Sequence, residues 1–188
     1  GAGGSIGSEI ARQVAAHKPA LIILIDNSEV ALYHIAHEIM KTWPDIEVAG
    51  CLADVRDKVR MAGIFSNHQP EMVFHAAALK HVPLMEVNRV ECMRTNISGT
   101  RVIADLAEEC GVEVFVMIST DKAVNPVSVM GASKRAAEAY VQAKDKSCVS
   151  TRYLTVRLGN VLDSNGSVLP LFRRQLQEGG PLTVTHPD

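Results

Sequence analysis

Ala20-Leu-Ile-Ile-Leu-Ile25 is a short unbroken apolar run without alternation, the pattern of a strand buried on both faces of a parallel sheet. Ile46 to Cys51, Met72 to His75, Val114 to Ser119 and Tyr153 to Leu158 follow the same style, which predicts four further strands. Between them the period changes. Val30, Leu32, Ile35, Ala36, Ile39 and Met40 fall on one face of a helix, as do Val59, Ile64 and Phe65, and then Val102, Ile103, Leu106 and Ala107. Strand and helix alternate along the chain, so the fold class is α/β: a doubly wound parallel sheet with right-handed crossovers, whose ligands sit at the carboxyl ends of the strands.

Composition narrows the function. The 188 residues carry 19 Lys+Arg against 21 Asp+Glu, a formal charge of -2. No overall field therefore draws the chain to nucleic acid or to an anionic membrane, and any anion must be held locally. With 47% hydrophobic and 21% charged residues, collagen, disorder and a disulfide scaffold are excluded. Cys51, Cys92, Cys110 and Cys148 lie far apart, with no Cys-x-x-Cys pair. They read as buried thiols in a reducing, cytoplasmic compartment. His34 and His37 share a helix face, but two ligands three residues apart lack the third and fourth that zinc requires, so no metal is expected. The methionines read as core residues. No apolar run approaches the ~20 residues that cross a bilayer.

Gly1-Ala-Gly-Gly-Ser-Ile-Gly7 leads into the helical Ser8-Glu-Ile-Ala-Arg-Gln-Val14. Glycine at 1, 4 and 7 permits a tight turn and lets backbone amides, those of Ser5 and Ile6 included, approach a pyrophosphate at a helix N-terminus. The spacing is one residue looser than Gly-x-Gly-x-x-Gly, and a plain glycine-rich turn would read the same way. Asp26 ends the next strand roughly 20 residues on, where an acidic residue receives the adenosine ribose hydroxyls, which favours NAD over NADP. Asp26-Asn27-Ser28 also suits a helix cap. Asp54, with Val55 beside it, is placed to meet an adenine edge or is an ordinary loop aspartate. A strand should precede the glycine loop, so we expect the central strand to lie outside this chain and the 188 residues alone to be unstable or inactive.

Ser119-Thr-Asp-Lys-Ala-Val-Asn-Pro-Val-Ser-Val-Met-Gly-Ala-Ser-Lys134 is the densest signal. It starts at the carboxyl end of a buried strand and sets a hydroxyl, a carboxylate and an ammonium side by side at Thr120, Asp121 and Lys122. Such a set can run acid and base chemistry on one substrate. A capped turn with a surface ion pair is the plain alternative.

With these residues in view, the chain resembles the extended short-chain dehydrogenase/reductase superfamily, and within it the nucleotide-sugar 4,6-dehydratases of the polysaccharide biosynthesis group. The resemblance also rests on His75-Ala-Ala-Ala-Leu-Lys-His-Val-Pro-Leu-Met-Glu86, Asn96-Ile-Ser-Gly-Thr100, Val156-Arg-Leu-Gly-Asn-Val-Leu162 and Gly166-Ser-Val-Leu-Pro170. It implies a Rossmann-type NAD-binding domain over 1–159, without its first strand, and the truncated start of a nucleotide-sugar region over 160–188. It also implies a UDP-sugar substrate, UDP-N-acetylglucosamine foremost, and a homo-oligomeric full-length protein.

The superfamily's catalytic tyrosine and lysine fall, by that resemblance, on Met130 and Lys134. Tyr140 and Lys144 share the four-residue spacing. Tyr140, however, lies about 15 Å further along a helix and roughly 80° around it, so both sets cannot face one nicotinamide. Methionine at this place resembles the membrane-anchored branch, which implies an anchor outside this chain at the cytoplasmic face of the inner membrane. The resemblance further implies that Asp121, Thr120 or a water relay accepts the 4-hydroxyl proton, that Lys122 removes the carbon 5 proton, that Asp121, once protonated, is the acid for the 6-hydroxyl, and that Lys134 holds the nicotinamide ribose. Ala76, Ala77 and Ala78 then pass the cofactor, or are simply tightly packed. Lys80 and Glu86 line the sugar pocket or are solvated charges, Asn160 meets the nucleotide sugar, and Ser167, Val168 and Leu169 approach the uracil and diphosphate. Asp163 departs from the family's glycine. An epimerase or reductase on the same fold, or a silent NAD-binding module, are the rival readings.

Overall fold

In the computed structural model, residues 1–161 and 168–183 are described. The elements are α1 (Ser5–Ala16), β1 (Leu21–Asp26), α2 (Glu29–Thr42), β2 (Glu47–Leu52), α3 (Lys58–His68), β3 (Met72–His75), α4 (Val82–Val87), α5 (Arg89–Met93), α6 (Thr100–Glu109), β4 (Val114–Thr120), α7 (Val129–Ser147), β5 (Arg152–Leu158) and α8 (Val168–Gln177). A π-helical stretch, Arg94–Gly99, joins α5 to α6, and a 3₁₀ turn, Asp121–Ala123, follows β4. Helix starts are written in the sequence. Ser28, Asp57 and Ser128 cap α2, α3 and α7 by accepting from the backbone N–H of Ala31, Arg60 and Gly131, each cap contributing about 1 kcal/mol.

Every strand pairing is parallel, as the alternating pattern predicts. β1 pairs with β2, while β3, β4 and β5 form a second ladder in that order. The two ladders share no hydrogen bond among the described residues. Between β1 and β3 lies a cleft of about 640 Å³, lined by Ile23, Ile25, Val73 and Phe74 from the strands and by Ile10 and Ile103 from helices. Gly1 stands at its mouth, with its amine donating to the carbonyl of Ile25.

One apolar core joins α3, α6 and α7 to β4 through Met61, Phe65, Leu106, Phe115, Met117 and Val141; a second packs α1 and α2 on β1 through Ala15, Leu24, Ile35 and Ile39. Several sequence expectations need correction. The strands are not buried on both faces: Met72 and Phe74 are exposed, as are Leu154 and Val156 of the outer strand β5. Val30, Met40 and Val59 leave the predicted helix faces and point to solvent, because a stripe three residues wide per two turns already saturates each helix's contact with the sheet. Cys110 and Cys148 are only half-buried, and all four thiols are free. Met40, Met72 and Met93 are exposed rather than core. No described helix is long and apolar enough to cross a membrane.

Candidate functional site

The glycine loop and the tip of β1 are tied together. Gly3 N–H donates to Asp26 Oδ2 at 2.8 Å and Ser28 N–H to Oδ1 at 2.9 Å, so Asp26, itself buried, holds the loop and the start of α2 while Asn27 and Ser28 stay exposed. Cofactor contact and capping are compatible here, since each carboxylate oxygen keeps a second lone pair. Gly4 caps α1 without a side-chain hydrogen bond, and no acidic residue stands in the first turn. Within its first turn, therefore, the positive end of that helix has no carboxylate of its own, and the carboxylate of Asp26 reaches the loop at Gly3. A Cβ on Gly7 would lie 1.9 Å from the carbonyl oxygen of Gly1, so only glycine admits this turn. Gly1 in turn packs on Ala76 and Ala77, where a Cβ would meet the Ala77 nitrogen at 2.7 Å. Ala78 is exposed beyond them.

Asp54 is engaged by a neighbour. Arg56 grips its carboxylate with Nε at 2.9 Å and Nη2 at 2.7 Å, and reaches Glu91 of α5 with Nη1 at 2.6 Å. This grip lowers the Asp54 pKa. Val55 packs at Gly99, whose missing Cβ would fall 2.7 Å from Val55 Cγ2.

The β4 tip carries the hydroxyl, carboxylate and ammonium singled out in the sequence. Thr120 Oγ1 donates to Asp121 Oδ1 at 2.9 Å and accepts from the Lys122 N–H at 3.3 Å. The Lys122 ammonium donates both to Asp121 Oδ1 at 3.1 Å and to Asn160 Oδ1 at 2.8 Å. Thr120, Asp121, Lys122 and Asn160, separated by up to 40 positions in the chain, therefore form one hydrogen-bonded group open to solvent. Hydrogen bonds from Thr120 and then Lys122 hold the Asp121 pKa below the ordinary carboxylate value. The carboxyl is ionised at neutral pH and can give up a proton only after receiving one.

α7 approaches this tip closely at Gly131, where a Cβ would lie 2.3 Å from the carbonyl oxygen of Lys122. One turn on, Lys134 is buried and donates from Nζ to the carbonyl of Ile118 at 2.6 Å. Burial pushes its pKa down to about 8. Met130 sits between these contacts but is itself packed in a small core with Met85 and Cys92. Its thioether serves packing at the place where the superfamily resemblance implies a reacting phenol. Glu86 is half-buried, and its Oε1 accepts from the Val129 N–H at 2.8 Å, which fixes the start of α7 beside Met130. Lys80 is exposed. Val168 opens α8 and Leu169 follows it; Ser167 and Asp163 lie outside the described residues.

Tyr140 and Lys144 belong to a different cluster. Tyr140 Oη donates to Asp105 at 2.5 Å, and Lys144 pairs with Asp105 and Glu108, all on the α6 side of the helix. The four-residue spacing alone misleads, and helix phase separates the two sets.

Asn96 was readable only as part of a motif, yet it organises the site. Fully buried in the π-helical stretch, it accepts from Leu79 N–H at 2.8 Å and donates to Leu79 O at 3.0 Å and to Ser133 Oγ at 2.9 Å. One amide thus clamps the loop after β3 onto α7. π-helical bulges recur at functional sites for this kind of re-aiming, and no apolar periodicity announces them. Beside it, Thr100 Oγ1 donates to Asn96 O at 2.7 Å, so the 2.9 Å contact from His75 Nε2 requires the imidazole to be the donor. Burial drives the His75 pKa down to about 3. Between the ordinary value near 6.5 and 3 the unfolded chain binds a proton that the folded chain refuses, so stability falls as pH drops through this window, by up to about 1.4 kcal/mol per unit. Urea unfolding of wild type and His75→Gln from pH 7 to 4 should show the wild-type midpoint falling more steeply; parallel slopes would contradict the assignment.

Similarity to known proteins bears on this geometry. The family model described as "Polysaccharide biosynthesis protein" matches residues 1–188. The chain is 52% identical to the capsular polysaccharide biosynthesis protein CapD of Staphylococcus aureus, over all of this chain and 32% of that one. It is 36% identical to the UDP-N-acetylglucosamine 4,6-dehydratase (inverting) of Campylobacter jejuni, covering 90% of this chain and 50% of that one. Among solved structures, DesIV from Streptomyces venezuelae, a dTDP-glucose 4,6-dehydratase crystallised with NAD, superposes with a TM-score of 0.78 at 24% identity, over 97% of this chain and 62% of that one. The chain thus spans a third to a half of the curated relatives' length.

Proposed function

The chain belongs to the polysaccharide biosynthesis protein family, and on that premise we propose that it forms the NAD-binding and acid–base part of a nucleotide-sugar 4,6-dehydratase that converts UDP-N-acetylglucosamine to a 4-keto-6-deoxy sugar nucleotide. The observation that carries this reading is the Lys122 ammonium held between Asp121 and Asn160 at the tip of β4. The dehydratase named among the relatives supports it.

The cradle fits a dinucleotide. Gly7 lets α1 pack directly on the Gly1 carbonyl in a tight turn, the first turn of α1 has no acidic residue, and buried Asp26 anchors the loop. When bound, NAD supplies a hydride acceptor for carbon 4 and the donor that returns it to carbon 6, with no net redox change. The chain's own groups handle protons. Thr120 and Asp121, hydrogen-bonded to each other, accept the proton of the 4-hydroxyl. Lys122, having released its own proton to solvent, removes the proton at carbon 5, which the 4-keto group has acidified. Asp121 in its protonated form donates to the 6-hydroxyl, which departs as water, and the Lys122 ammonium, after exchange with solvent, gives a proton back to carbon 5 as carbon 6 is reduced. Lys134, buried and cationic beside the strand, orients the ribose. An epimerase returns its hydride to carbon 4 and needs no acid at carbon 6, so the adjoining acid and base favour dehydration.

The test is product identity. Full-length protein incubated with UDP-N-acetylglucosamine in D₂O should yield a 4-keto-6-deoxy product carrying deuterium at carbon 5. A product epimerised at carbon 4 would favour the epimerase, and none at all the silent module. Tyr140→Phe should keep turnover within about twofold while losing roughly 1 kcal/mol of stability with its hydrogen bond to Asp105. A kinetic collapse with an unchanged melting temperature would instead place Tyr140 in the reaction.

A further inference from the structure

We propose that Glu138 is a positioning residue that sets the reach of Lys122 by pinning the end of β5 to α7. This rests on the proposed acid–base role of Lys122.

Gly131, Lys134, Glu138 and Val141 are buried along one face of α7, the i, i+3, i+7, i+10 spacing of a helix stripe. In that stripe a carboxylate is out of place unless paired. Glu138 is 0% exposed and is paired from two elements. Arg157 of β5 grips it with Nε on Oε1 at 2.9 Å and Nη2 on Oε2 at 2.6 Å, and Arg135 of its own helix adds a 3.2 Å contact. The two-point Arg157 fork fixes direction as well as distance. Arg157 lies in register with Ser119, and Leu158 with Thr120. The clamp therefore closes on the ladder one rung before the reactive tip.

Beyond that rung β5 ends, and Asn160 follows after Gly159. Gly159 has no atom within 4 Å of where a Cβ would stand, so side-chain packing at that residue does not locate Asn160. Asn160 nevertheless meets the Lys122 ammonium at 2.8 Å. The last side-chain anchor before it is Arg157 on Glu138. The same carboxylate sits one turn past Lys134 and favours that lysine's charged form.

The experiment is a double-mutant cycle in the full-length protein: wild type, Glu138→Gln, Asn160→Ala and the pair. Competitive acetylation of Lys122, read by mass spectrometry across pH 7 to 11, is the first readout, and turnover the second. Glu138→Gln should shift the Lys122 labelling profile in the same direction as Asn160→Ala and lower turnover about tenfold. In the Asn160→Ala background it should add nothing to either. If Glu138→Gln fails to fold, Arg157→Lys keeps the charge while losing the fork and should show the same pattern. Equal, additive losses in both backgrounds, or an unmoved Lys122 profile in a folded variant, would overturn the inference. The labelling readout needs no turnover, so an absence of product in wild type would count against the dehydratase reading alone.

Discussion

Lys122→Met is expected to lower turnover by about 10²- to 10⁴-fold, the range a positioned general base contributes, with sugar-nucleotide binding nearly retained. Lys122 is exposed and partnered by Asp121 and Asn160, so its removal leaves no buried charge behind and the fold should persist. The two proton transfers can be separated. If Lys122 acts only at carbon 5, the variant still oxidises carbon 4 and accumulates NADH absorbance near 340 nm, without a 6-deoxy product. Asp121→Asn should block earlier, with little NADH absorbance, because the 4-hydroxyl then loses its carboxylate proton acceptor and the 6-hydroxyl its acid. Full product formation by Lys122→Met would end the proposed mechanism.

Gly131→Ala should be nearly as damaging although it touches no reacting group. Its methyl would stand 2.3 Å from the carbonyl oxygen of Lys122 and 3.2 Å from Pro126. Real Cβ contacts do not come this close, and the obstacle is backbone. Either α7 or the 3₁₀ turn must move. Overpacking of this kind costs roughly 1–3 kcal/mol, and the moving part carries Lys122 and Asp121. We expect a turnover loss of about 100-fold, in line with what small misplacements cost an aligned site, with a melting temperature several degrees lower. Ala132→Gly on the exposed side of the same turn controls for helix propensity, which costs about 1 kcal/mol. Wild-type turnover in Gly131→Ala would show that the turn tolerates displacement.

The strands were legible because a parallel sheet demands short apolar runs, and all five observed strands lie within a residue or so of their predicted limits. Helix faces were less so. Val30, Met40 and Val59 match the period but not the contact, since periodicity cannot say how wide a stripe the sheet will cover. Thr120, Asp121 and Lys122 could be found because strand ends concentrate chemistry, whereas their link to Asn160 depends on β4 and β5 pairing in a register no local signal reveals. Asn96 and Glu138 are hidden for the opposite reason. Each is a polar residue inside a helical pattern, and only its partners, Leu79 and Ser133 for one and Arg157 for the other, distinguish a clamp from a solvated side chain. Resemblance implies a pocket role for Glu86, and the structure has its carboxylate accepting from the amide of Val129.

The Asn96 clamp ties two distant segments to one fate. A single buried amide holds Leu79 of the loop after β3 and Ser133 of α7, so local opening of either should loosen the other. Amide hydrogen exchange in the two segments should quicken together in Asn96→Ala while β1 and β2 keep their protection.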